Sequence, residues 1–145
     1  MTSDQDYAPR AVASWFRWAA WGTLLWALLG VANYMFQVTV DPATLPTDQQ
    51  LLLAAVPGWM LNFFALTVWI GLAGGVLLVM RRKAAEPLLL TSLVACAVQF
   101  TAYFIDPGLR EIVPADGLVV PVVILAITWT IFWFARHSAQ RGWLK

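Results

Sequence analysis

A chain of 145 residues that is 61% hydrophobic and 12% charged, with a mean hydropathy of +0.71, lies far from the soluble average of about 45–50% apolar and about 25% charged residues. Nine basic and eight acidic side chains leave a formal charge of +1, too even a balance to hold a polyanion by its field, so no nucleic acid partner is expected. The single cysteine, Cys96, excludes an internal disulfide and a CxxC redox motif.

A helix needs about 20 apolar residues to cross a hydrocarbon core of about 30 Å. Four windows meet this, at about residues 15–38, 59–80, 88–105 and 118–135. Lipid leaves no unpaired backbone amide satisfied, and the alternating short segments of a barrel are missing, so each window is expected to be helical. The expected fold class is all-α: an integral membrane four-helix bundle forming one domain over residues 1–145, in contact with the lipid bilayer.

The first window follows Arg10 and contains Arg17. A secretory signal with a cleavage site at Gly30-Val31-Ala32 is the competing reading. Acidic Asp4 and Asp6, and apolar sequence running on through Tyr34, Met35 and Phe36, favour a retained span. In the next connection Pro42 and Pro46 stop the helix, and Thr47 with Gln50 has capping-box spacing. Leu51, Leu52, Leu53 and Val56 then supply an apolar run. A short interfacial helix is expected, either resting among headgroups or covering a cavity mouth. Pro57 precedes the second window, where a residue without an amide proton costs least.

Within the second window Gly71 and Gly75 form a small-xxx-small face, expected to pack helices inside one chain. The short connection 81–87 makes windows two and three an antiparallel hairpin. Asp106-Pro107-Gly108 ends the third window, while Pro114 and Asp116-Gly117 precede the fourth. Pro121 falls in a first turn, where amides are free in any case.

Threading through four spans puts Arg10, Arg17, Arg81, Arg82, Lys83, Arg136, Arg141 and Lys145 on one side and Arg110 on the other. The positive-inside rule then makes both termini cytoplasmic. Trp15, Trp18, Trp21, Trp129 and Trp133 mark the inner border and Trp59 the outer one; the deeper Trp26 and Trp69 need partners for their indole N–H groups.

No Asp, Glu, Lys or His lies in the middle of any window, which disfavours proton-coupled antiport through a membrane carboxylate. His137, the sole histidine, reads as a helix-end cation. No metal-ligand cluster, phosphate loop or nucleophile–base pair occurs, so neither a cofactor nor an enzyme activity is expected. The polar groups inside the windows are neutral instead: Asn33 and Gln37, Asn62, and Gln99 with Tyr103. Both pairs have i, i+4 spacing and so share a helix face. All five fall in the outer half of the membrane and are expected to face the bundle interior, because amides are costly against lipid. Two roles fit them: hydrogen bonds between helices, or the lining of an outward-open pocket for a neutral polar molecule.

The stretch Leu25-Trp26-Ala27-Leu28-Leu29-Gly30-Val31-Ala32-Asn33-Tyr34 with Gln37, the opening Pro57-Gly58-Trp59, Gly71–Gly75 followed by Arg81-Arg82-Lys83, Gln99, and the ending Trp133-Phe134-Ala135-Arg136 with Arg141-Gly142-Trp143-Leu144 resemble a family of small bacterial four-helix membrane proteins. That family has no established function and often carries the label "sugar transporter". The resemblance implies a bacterial inner membrane and a sugar as the substrate class, with which Asn33, Gln37, Asn62, Gln99 and Tyr103 are compatible as neutral hydrogen-bonding groups and Trp59 or Trp26 as candidates to stack on the ring. A homodimer is expected with this reading, since four helices alone seldom enclose a through-path. The alternative is a non-transporting accessory subunit that packs against another membrane protein.

Overall fold

A computed structural model describes residues 11–145; Asp4, Asp6 and Arg10 lie outside the described residues. Among those residues every regular element is helical. The four expected windows correspond to four helical stretches long and apolar enough to cross a membrane: Ser14–Thr39, Gly58–Val79, Ala85–Ile105 and Ala115–Gln140.

Helix α1 (Ser14–Thr39) ends where Val40 and Asp41 become extended. Asp41 then caps a 3-10 turn at Pro42–Thr44 by accepting from the Ala43 amide at 3.0 Å. Helix α2 (Thr47–Ala55) begins after an extended Pro46. The capping-box expectation fails here: Thr47 is already helical and caps nothing, while Gln50 Nε2 donates back to the Leu45 carbonyl at 2.7 Å. Because the extended segment ends at Pro46, one residue earlier than a box at Thr47 requires, the side chain of Gln50 ties the helix to its entry segment instead.

Helix α3 (Gly58–Val79) follows Pro57 and closes through a left-handed residue. Arg81 takes φ 59°, its amide donates to Leu78 at 3.0 Å, and the Arg82 amide donates to Leu77 at 2.8 Å. This is the Schellman pattern, which glycine normally occupies. The third span begins three residues before the expected position 88, because Pro87 fits the first turn of α4 (Ala85–Phe100). It continues after Thr101 as α5 (Ala102–Ile105). Helix α6 (Pro107–Ile112), not foreseen in the sequence, starts at Asp106, whose carboxylate accepts from the Leu109 amide at 3.1 Å. A 3-10 turn at Ala115–Leu118 leads into α7 (Val119–Gln140). This helix runs five residues past the expected end at 135 and stops at a second Schellman turn, with Gly142 at φ 71°.

The long helices pack in a row: α1 against α3, α3 against α4, and α4 against α7. Close approach requires the glycines of α3. A Cβ on Gly74 would lie 2.8 Å from the Leu89 side chain of α4, and one on Gly75 would lie 3.4 Å from Leu24 Cα of α1. Ser92 Oγ adds an interhelical hydrogen bond to the Thr67 carbonyl at 2.8 Å.

At one end, Phe16, Ala20, Leu78, Ala85, Leu89, Phe134, Ala135, Trp143 and Leu144 form the main buried cluster. Phe16 meets Phe134 at 5.5 Å and Trp143 at 5.8 Å, joining the two outer helices of the row there. The residues after α7 lock this end: the Lys145 amide donates to the Arg81 carbonyl at 2.6 Å, the Lys83 amide to the Lys145 carbonyl at 2.9 Å, and Arg81 Nε to the Trp143 carbonyl at 2.8 Å. Most of the basic residues lie at this end, which we call the basic end. At the far end Met60, Ala102 and Leu109 form a smaller cluster, over which Leu52 and Ala55 of α2 and the following Val56 are packed. The remaining helix surface is studded with exposed large apolar side chains such as Trp18, Leu25, Leu66 and Val122, the pattern of helices solvated by lipid tails.

Candidate functional site

Between the two clusters lies a cavity of about 650 Å³, within the range of about 300–1,000 Å³ typical of ligand sites. α1 contributes Trp26, Gly30, Asn33 and Gln37; α2 contributes Gln49 and Leu52, with Val56 just after it; α3 contributes Phe64 and Thr67. Ser92 and Gln99 of α4, Tyr103 of α5, and Pro121, Ile124 and Thr128 of α7 complete its polar and apolar walls. No charged side chain lines it among the described residues.

The i, i+4 spacing does its work here. Asn33 and Gln37 lie one turn apart on α1, and Gln99 and Tyr103 one turn apart on the third span. Both pairs reach the same cavity, in the half toward the far end. Asn62 does not join them. It is exposed and off the lining, on the face of α3 that also carries exposed Leu66 and Trp69, so the expectation that all five polar groups face inward fails at this residue; Asn33 lines the cavity but is exposed as well, at its open side. Trp59 also stays outside the lining, with its ring edge-on to Phe63 at 6.3 Å, whereas Trp26 lines the wall. Trp69, expected to need a buried partner, is 48% exposed.

The wall's hydrogen-bonding capacity is unevenly distributed. At mid-bundle, the hydroxyls of Thr23, Thr67, Ser92 and Thr128 all donate to backbone carbonyls, of Ala19, Phe63, Thr67 and Ile124 respectively, at 2.8–3.0 Å. Their single donors are used, and this region behaves as an apolar surface with weak acceptors. Toward the far end the amides remain uncommitted. Among the described residues no side-chain hydrogen bond joins Asn33, Gln37, Gln99 or Tyr103 to one another. Gln99 is 5% exposed, and its Oε1 is buried without a hydrogen-bond partner. Such an acceptor costs about 1–3 kcal/mol.

Gln49 and the four hydroxyl residues were missed by sequence reasoning. For Gln49 the signal was its place on a short helix expected to cover a cavity mouth. The hydroxyls, scattered singly along apolar runs, gave none. Among the described residues no cluster of three His, Cys, Asp or Glu side chains forms a metal site.

Fold and site together define an all-helical protein with four helices able to span a membrane and an uncharged cavity among them. No family model matches the chain, and no curated protein or solved structure matches it.

Proposed function

We propose that the protein binds a neutral, hydrogen-bonding small molecule in this cavity, within a bacterial inner membrane and with both termini in the cytoplasm. The observation that carries the reading is Gln99 Oε1, an orphaned acceptor on a buried side chain that lines the cavity. A hydroxyl or amide donor on a ligand would satisfy it, and the uncharged lining argues against an ion as cargo. The gathering of Arg17, Arg81, Arg82, Lys83, Arg136, Arg141 and Lys145 toward the basic end supports the orientation.

The substitution Gln99→Leu separates a binding role from helix-to-helix glue. Leucine removes an unsatisfied acceptor, so the free protein in lipid nanodiscs is expected to melt at the same temperature or higher, while stabilisation by a bound uncharged ligand disappears. A clearly lower melting temperature, with no ligand response in the parent protein, would instead assign Gln99 to helix packing.

A second reading, an accessory subunit or homodimer, is favoured by Asn62. An amide on an exposed span face next to Leu66 and Trp69 is better accommodated against a protein partner than against lipid tails.

A further inference from the structure

The binding reading leaves open what kind of molecule fills the cavity and how it arrives; the inference below rests on that reading. We propose that the occupant is a single-chain amphiphile with an uncharged head group, and that it enters from the bilayer between α1 and α7.

The first observation is the shape of the space. Its lining on α1 runs from Thr23 to Gln37, about 21 Å at a rise of about 1.5 Å per residue. Spread over that length, 650 Å³ leaves a mean cross-section on the order of 30 Å², room for one hydrocarbon chain abreast.

The second is polarity along that length. Free amides sit toward the far end at Asn33, Gln37 and Gln99, while the deeper part has hydroxyl donors already spent and ends against Leu89 and Ile131. One polar end and one long apolar end match a head group and a tail. A free sugar, which carries hydroxyls on every side, would leave several of them unpaired against the deeper walls.

The third is access. α1 and α7 are the two ends of the helix row and both line the cavity. Phe16, Phe134 and Trp143 join them at the basic end. At the far end Leu52 and Leu53 of α2, with Val56 just after it, lie against the cavity. The rim between α1 and α7 carries Leu29, Phe36 and Val120, which line the space and are 59%, 55% and 63% exposed, with exposed Asn33 between the first two on α1. An entrance with a largely apolar rim, one amide on it to receive a head group, and a helical cover at the far end admits an amphiphile from lipid.

The test uses the full chain in phosphatidylcholine nanodiscs with four probes: monopalmitoylglycerol, free glycerol, glucose, and palmitate. Monopalmitoylglycerol is expected to raise the melting temperature saturably, glycerol and glucose to leave it unchanged, and palmitate to act more weakly. Gln99→Leu should weaken the apparent affinity for monopalmitoylglycerol about tenfold, the equivalent of one lost hydrogen bond. Ile124→Trp, which fills the tail region, should abolish the response. If Ile124→Trp does not fold, a diazirine on the acyl chain replaces it: adducts on peptides containing Trp26–Gly30 and Ile124–Ile131 support the proposal, and adducts confined to the exposed face of α3 overturn it. A Gln99-dependent shift with glucose or glycerol equal to that with the acylated probe overturns the amphiphile and keeps the binding reading. No shift with any probe overturns both. An equal shift in parent and variants is a bulk bilayer effect and overturns the proposal. A stable dimer with no response to the acylated probe assigns the α1–α7 entrance to a second copy and likewise overturns it.

Discussion

At the scale of single residues, the left-handed Arg81 is the most telling position outside the cavity. An L-residue at φ 59° pays about 1–2 kcal/mol relative to its relaxed backbone, and Arg81 offsets this through the Nε contact to the Trp143 carbonyl and the carbonyl that receives Lys145. Arg81→Ala keeps the strain and loses the side-chain bond, whereas Arg81→Gly loses the bond and relieves the strain. The glycine variant is therefore expected to be the more stable of the two by about 1 kcal/mol, read as the higher melting temperature in matched nanodiscs. Arginine at this place was legible only as topology-setting charge. The hydropathy drop at Met80-Arg81-Arg82 marks where the helix ends, but nothing there announces the left-handed turn that glycine would ordinarily make, because the compensating partners lie more than sixty residues away.

At the scale of elements, the tight seams of α3 set the width of the row. A methyl group at Gly74 meets Leu89 at 2.8 Å, and Leu89 is itself buried against the main cluster, so the contact has little room to relax. Gly74→Ala is expected to destabilise the fold by about 1–3 kcal/mol. Gly22→Ala on α1, where a Cβ would meet nothing within 4 Å, should be neutral or stabilising by up to about 1 kcal/mol. Comparing the two melting temperatures checks the assignment. The sequence pattern pointed to Gly71 and Gly75 as the packing face, and the seam proves broader: Gly71 and Gly74 meet α4 while Gly75 meets α1. The spans themselves were legible to within a few residues, because hydropathy and length answer to the bilayer alone. The break at Thr101 within the third span and the short helix α6 were not. The stability of α6 comes from docking and its Asp106 cap more than from any periodic pattern.

At the scale of the whole molecule, four of the six expected ligand residues converge because i, i+4 spacing survives any rotation of a helix about its axis. Asn62 and Trp59 escaped that logic. As isolated polar and aromatic positions they carry no second residue to reveal which way α3 turns, and that rotation is decided by the glycine seams. The clustering of basic residues yields a further expectation: a reporter joined through a flexible linker after Lys145 should read as cytoplasmic, and a periplasmic signal would reverse the proposed orientation of the cavity. The latch at the basic end also has a consequence for biogenesis. A ribosome extends the chain at roughly 5–20 residues per second, so α1, α3 and α4 are made seconds before the segment from Trp143 to Lys145 that hydrogen-bonds Arg81 and Lys83. The first three spans must therefore wait in the membrane as an unfastened assembly, and this end of the bundle is latched only after translation has passed that segment.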